Sequence, residues 1–522
     1  MGGTQMLVDR SRRFVAKQQD LEFYEHLLPQ QHPLDDALRL IPWDSFTPLL
    51  ESSYSPDLGQ PAIPPLLFLK LEFLRYYQHL SDREVIARAV TDVAFRWFLQ
   101  IPVGCTLPHP TSLVYFRGRL GVEGFKKVFD QLVTLARQAG LVRDRLRLKD
   151  ASHVIAKIAV PSTMKLLARL REQMLDEIRK IDSVVATGFE IERDLIRKQT
   201  ANEEGDVQLL RRVELLQQVL EFLQSQPKPA ETDTTDSESA WLQRKRICDL
   251  ASKILDDTAH PDNGDRILSL VDSDARRGRH GQWYDGYSID ISMDADSYLI
   301  TAVDVLVAGG DEAKSAVNLI NSEHEAQGNQ VENLSIDGVG FNGPMLRELE
   351  APEGLNVKVF TPTREASSEE AVSVREFQLS DDGKSVTCPA GQNSSTRQRD
   401  EKRHRTYFQF RRDTCVGCAL LAKCKPTLGD GIYGGRGVTK SDYEAEHERA
   451  RARTKTEAYA AVRREHPAIE RKLNEVMNQQ GGRHAKYWGK EKTKSQALMT
   501  CFTVNVKRIR KLLIGESCAP AQ

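Results

Sequence analysis

Apolar positions recur in steps of three and four through most of the first 143 residues, which predicts an all-helical N-terminal domain over 1–143. Ser81 and Glu84 form a capping box that opens the helix DREVIARAV. After a proline-rich break at 107–110, Thr111 caps TSLVYFRGRL, and Gly121 separates it from a helix carrying Phe125, Val128, Phe129, Leu132 and Leu135. The pattern changes at 145–156, where Leu146 and Leu148 alternate with charged residues and predict a strand delivering Asp150 to its end. Strand character returns over 283–308, with a turn near Asp294–Asp296, and again in NLSI (333–336) and NVKVFTP (356–362). Between 157 and 268 the period is helical once more. Leu167, Leu170, Met174 and Ile178, then Leu209, Val213, Leu216 and Leu220, suit an antiparallel helical arm inserted in the sheet. The stretch 226–240 reads as a linker within that arm.

The turn VENLSIDGVGFNGPML (331–346) carries two competing readings. Asp337 ends an apolar strand as a metal-binding carboxylate would, whereas Gly338, Gly340 and Gly343 spell the G-x-G-x-x-G of a phosphate-cradling turn. Both readings predict strand, turn and a helix beginning near Pro344. The C-terminal third has a cysteine-bearing stretch at 380–430, a charged helix at 440–464, and a helix bracketed by Pro467 and Gly481–Gly482.

A chain of 522 residues exceeds one core, and 40% hydrophobic with 28% charged residues is ordinary for a soluble protein. No apolar run reaches membrane-spanning length and no secretory leader is present, so the protein reads as cytoplasmic, with eight cysteines that are thiols or metal ligands. A net charge of -1 gives no global nucleic-acid signal; any basic surface must be local. Such a surface appears between 481 and 514, with nine Lys or Arg against Glu491 alone, and with Tyr487 and Trp488 among them. Arg117 and Arg119 on the third helix are compatible with a helix-turn-helix, or with a packed domain carrying solvated arginines.

Three constellations carry candidate chemistry. Asp150, Asp337 and Glu470 offer two strand-end carboxylates and one on a helix, a donor set for two Mg²⁺ (or Mn²⁺) ions acting on phosphodiesters. Cys415-x₂-Cys418, with Cys424 downstream and Cys388 upstream, suits a tetrahedral structural Zn²⁺ site; free loop thiols are the alternative. The glycine pattern lacks the acidic residue about 20 positions on that a dinucleotide fold needs, which leaves a nucleotide-dependent oxidoreductase as the weaker reading. His153, beside Asp150, reads as a polar-loop residue before a general base.

RLRLKDASHVIA, NLSIDGVGFNG, and REHPAIERKLNEV followed by RHAKYWG and ALMTCFTVNVKRIRKLL resemble the successive signatures of bacterial DDE-type insertion-sequence transposases. The stretches QPAIPPLLFLKLEFLRYYQHLSDREV, FRWFLQIP and HPTSLVYFRGRL are similar to the N-terminal domain of the same group, and DARRGRHGQWYDGYSIDISMD to its strand region. The resemblance implies an α/β fold with an RNase H-like mixed sheet over 144–515, with flanking helices and helical and cysteine-rich insertions. It implies strand cleavage and transfer on double-stranded DNA, with Asp150, Asp337 and Glu470 as metal ligands and a homo-oligomer assembled on DNA. Arg464, Arg471, Arg483, Lys486, Tyr487, Lys507 and Arg508 fall in the matched C-terminal motifs as expected DNA contacts, and a nucleoid-associated location follows. A catalytically inactive DNA-binding regulator is the other reading. The chain departs from the group in its long helical interval between the aspartates and in Phe341 where a Tyr is usual, with one extra residue before it.

Overall fold

The computed structural model describes residues 12–28, 32–54, 63–228, 235–363, 372–380, 382–424 and 428–515. The N-terminal helices are α1 (Gln18–Leu27), α2 (Pro33–Leu40), α3 (Pro65–Tyr77), α4 (Asp82–Thr91), α5 (Val93–Leu99) and α6 (Thr111–Gln138). The capping box at Ser81 forms as its sequence predicts. Gly121 breaks α6 with φ 60 and ψ -178, so the predicted separation of two helices becomes a kink within one element.

The central sheet has strands β1 (Arg147–Ile155), β2 (Arg276–His280), β3 (Gln282–Asp294), β4 (Ile300–Val307), β5 (Asn333–Ser335) and β6 (Lys358–Phe360). β3 lies antiparallel to β1, with β2 and β4 sharing its other edge; β5 is parallel to β1, and β6 is parallel to β5. The sheet is therefore mixed, with β1 at its centre. Gly286 is required where β3 meets β1: a Cβ there would stand 2.1 Å from the Val154 carbonyl oxygen, and its φ of 153 belongs to glycine. β1 runs beyond the predicted strand end, so Asp150 sits in mid-strand opposite Ile291.

Four helices fill the interval between β1 and β2: α7 (Thr163–Ile181), α8 (Ser183–Gln199), α9 (Gly205–Ser225) and α10 (Thr235–Ala259). They hold their own core around Leu170, Met174, Ile178, Leu216 and Val219. The predicted linker is shorter than 226–240, because α10 already begins at Thr235. Beyond β4 come α11 (Glu312–Gln327) and α12 (Gly343–Leu349). Arg147, fully buried, pairs with Glu323 of α11 at 2.6 Å and with Asp294 at 3.0 Å, tying that helix to β1.

The cysteine-bearing stretch folds around an antiparallel sheet of β7 (Thr396–Asp400), β8 (Arg405–Gln409) and β9 (Gly437–Ser441). The charged region that follows is two helices, α13 (Glu444–Thr454) and α14 (Glu457–Glu465), instead of the single one expected at 440–464. The chain continues as α15 (Pro467–Asn474), a π-helical turn at Glu475–Gln479, and the long α16 (Lys490–Leu513). The N-terminal helices and the sheet share one continuous core. Trp43, Phe46 and Phe73 all pack on Phe502 of α16, with ring centroids at 6.0, 5.9 and 6.4 Å. Among the described residues no helix is long and apolar enough to cross a membrane.

Candidate active site

The β1–β5 pairing positions the two aspartates. Leu148 is opposite Ser335, and Asp150 and Asp337 each stand two residues further along their parallel chains. They therefore emerge side by side on neighbouring backbones. Asp337 caps the short turn Gly338–Gly340, its Oδ1 accepting the Val339 N–H at 3.2 Å, while its own carbonyl accepts the Thr361 hydroxyl at 2.7 Å. Asp150 Oδ1 accepts the Ala151 N–H at 2.8 Å.

Burial pushes the Asp150 carboxyl up to about 6, and the charges of Asp337 and Glu312 add to the rise against the lowering effect of the Ala151 N–H and Lys149. Behind it, Lys149 Nζ lies 3.0 Å from the buried Asp290. Glu470 is exposed in the first turn of α15, which packs against β1.

Two residues outside the predicted set hold this arrangement. His466, buried at the α14–α15 junction, has its Nδ1 3.1 Å from Ser335 Oγ. Arg463 Nη1 donates to the Ile336 carbonyl at 2.9 Å and to Ser335 Oγ at 3.3 Å. Burial pulls the Arg463 guanidinium below its ordinary value, while Tyr459, Asp337, Glu470 and Asp150 pull it back up. One half-buried arginine thus senses all three carboxylates. Its only sequence signal was its place beside Arg464 in a run of charges.

The glycines of the turn serve packing. A Cβ on Gly340 would meet Ile336 Cγ2 at 2.2 Å, and one on Gly343 would meet Tyr443 Cβ at 2.3 Å, whereas Gly338 faces open space. None of the three has positive φ. Gly340 and Gly343 let Thr361, just after β6, and Tyr443, just before α13, close over the turn that presents Asp337. Arg364, the residue a dinucleotide reading of this turn would offer to a 2′-phosphate, lies outside the described residues.

The structure brings the four predicted cysteines together. Cys388, Cys415, Cys418 and Cys424 line one cavity of about 30 Å³ against a core of Phe377, Phe408 and Phe410. Burial raises the Cys424 thiol, and the neighbouring Cys415, Cys418 and Cys388 raise it further. Backbone N–H groups of Gln392, Arg436 and Leu420 donate to the sulfurs of Cys388, Cys415 and Cys418 at 3.4, 3.3 and 3.4 Å. Among the described residues, no group of three or more His, Cys, Asp or Glu side chains is gathered tightly enough to hold a metal ion. The donor chemistry nonetheless fits: hard oxygens that repel one another at the sheet, and sulfurs around a cavity of ionic size at β7–β9.

The expected DNA contacts divide into two groups. Arg117 bonds Glu72 and Asp82, both at 2.5 Å, and Tyr487 accepts a hydrogen bond from Arg75 at 2.8 Å. These join α3, α4 and α6 to the segment before α16. Arg483 donates to the His153 carbonyl at 2.8 Å, and Lys486 lies over the Tyr76 ring. Lys507 donates to Gln480 and Arg508 to the Ser297 carbonyl, each at 2.7 Å. Arg119, Arg464 and Arg471 are exposed.

Comparison with known families follows this division of the chain. Residues 22–119 match the model of a transposase domain (DUF772), and residues 387–510 match the transposase DDE domain. The second span holds Glu470 and the four cysteines; Asp150 and Asp337 lie between the two spans. No curated protein and no solved structure matches the chain. Both domain matches, in their places along one chain, support an insertion-sequence DDE transposase.

Proposed function

We propose that the protein cuts the ends of its element and joins their 3′ ends to target DNA, using Asp150, Asp337 and Glu470. The observation that carries this reading is the juxtaposition of Asp150 and Asp337 in parallel register, with Arg463 sensing both of them and Glu470. The sheet supports it too: β1, β3 and β4 run antiparallel in turn and β5 and β6 follow parallel to β1, the order expected of an RNase H-like core, with β2 an additional strand on β3. Asp150 and Asp337 would hold divalent ions between the strands, and Glu470 would complete the set from α15. Bound there, Mg²⁺ or Mn²⁺ would supply Lewis-acid stabilisation of the charge that develops on the phosphodiester. The chain's own part is placement. β1 and β5 fix the aspartates, the His466 and Arg463 anchors hold α15 against them, and Arg463 offsets the carboxylate repulsion.

The cysteine cluster is proposed as a structural Zn²⁺ site that braces the module between α12 and α13. One zinc per chain, measured by elemental analysis and lost in Cys415→Ser with Cys418→Ser, is the expected result; a metal-free wild-type protein would remove this proposal.

The decisive experiment incubates a labelled element-end duplex with the protein in Mg²⁺ and in EDTA. Cleavage is expected in Mg²⁺ alone, and it should vanish in Asp150→Asn and in Glu470→Gln. Undiminished cutting by either variant, or by wild type in EDTA, would overturn the assignment.

A further inference from the structure

Next to Glu470, around α15, a second feature faces outward. Ala468, Arg471, Lys472 and Glu475 follow one another on a single face of the helix, at helical spacing. This face forms one wall of a cleft of about 190 Å³, and the last two turns of α16 form the other with Lys507, Arg508 and Lys511. Five cationic side chains (Arg471, Lys472, Lys507, Arg508, Lys511) therefore line it against the single carboxylate of Glu475.

That carboxylate is already taken: Lys472 Nζ, buried, lies 2.6 Å from Glu475 Oε2. Lys507 and Arg508 each spend a donor on the cleft wall, at Gln480 and at the Ser297 carbonyl. Arg471 and Lys511 are exposed and have no ion pair within 4 Å among the described residues. Burial lowers the Lys507 ammonium most; Glu475 raises it, and the nearby Lys511 lowers it again. The cleft between α7 and α10 is different. It has about 940 Å³, and there Asp176, Glu177 and Asp249 nearly balance Arg179, Lys180, Arg246 and Lys253. Crowded, poorly compensated cations around a concavity are a site for an anion.

We propose that the cleft between α15 and α16 binds a backbone phosphate of duplex DNA, on the helix that also carries Glu470. The inference rests on the reading of the protein as one that acts on DNA, and it assigns that DNA a place on the surface. Glu470 and Arg471 are consecutive on α15, so a duplex held in the cleft lies along the helix that carries Glu470. The grip is electrostatic and independent of base sequence.

The test measures binding of a fluorescent duplex to the full chain in EDTA, over a series of salt concentrations. Arg471→Gln with Lys511→Gln should weaken binding on the order of tenfold or more and lower the slope of log K against log[salt] by about 2. Arg471→Lys with Lys511→Arg should retain both, and thermal melting should be unchanged in either variant. Lys180→Gln with Arg246→Gln, in the nearly balanced cleft between α7 and α10, should leave affinity and slope as in wild type. Wild-type affinity and slope in the Gln double variant, or an equal loss in the charge-retaining one, would overturn the cleft. So would displacement of the duplex by submillimolar inorganic phosphate, which would mark a free-phosphate site. If wild type bound no duplex at all, the functional reading itself would fail, a result distinct from the others.

Discussion

At the scale of single residues, His466 and Arg463 do what the three carboxylates cannot do for themselves. His466 is buried and neutral, its ring pushed down to about 4 by burial and then by the charge of Arg463. The unfolded chain takes up a proton near the ordinary histidine value and the folded chain does not until about 4, so folding is favoured by deprotonation. Its full contribution is present above about pH 6.5 and is lost as pH falls toward 4, on the order of 3 kcal/mol at most. The melting temperature of wild type should therefore fall faster than that of His466→Gln across that window; parallel curves would contradict the burial argument. Arg463 has a different liability. Arg463→Gln gives up charge-assisted bonds to Ser335 and Ile336, a loss of about 1.5–3 kcal/mol seen in melting, and DNA cleavage should fall with it. Apparent Mg²⁺ affinity should instead rise, since the variant removes a fixed cation from among the carboxylates.

At the scale of elements, the site depends on how closely strands and helices approach. Gly286→Ala would drive a methyl into the Val154 carbonyl and demand an unfavourable φ, at a cost of at least ~2 kcal/mol in chemical denaturation. The four-helix arm behaves otherwise. Its core of Leu170, Met174 and Leu216 is separate from that of the sheet. Leu216→Ala should cost about 2–5 kcal/mol, read as faster hydrogen exchange in α7–α10 while β1 and β3 keep their protection. Loss of protection throughout the sheet would show that the arm is not an independent unit.

At the scale of the whole molecule, the N-terminal helices and the sheet are one folding unit. Trp43, Phe46 and Phe73 meet Phe502 of α16, and the Glu72–Arg75–Arg117–Asp82 network carries Tyr487 across the same junction. Phe502→Ala should cost about 3–5 kcal/mol and lower a single transition followed by both helix and sheet signals. Two separated transitions would instead speak for two independent cores. A buried charged network of this kind specifies how the parts dock more than it stabilises them.

The sequence by itself determined the local elements. Period-two and period-three-to-four patterns, Pro467, Ser81 and Gly121 are short-range signals, and the capping box, the α6 kink and the strands around Asp150 and Asp337 follow from them. It also supplied the chemistry, because carboxylates and thiols at particular positions are visible as letters; Cys388, Cys415, Cys418 and Cys424 proved to share one cavity. Only the tertiary structure decided which charges face water and which face one another. Arg117 and Tyr487 read like surface contacts but are bonded across the junction of α3, α4 and α6 with the segment before α16, and Arg463 reads like any residue of a charged helix until β5 lies under it. The physical reason is that a side chain's partners come from elements hundreds of positions away, brought together by burial of apolar faces that the local pattern marks without saying which face meets which.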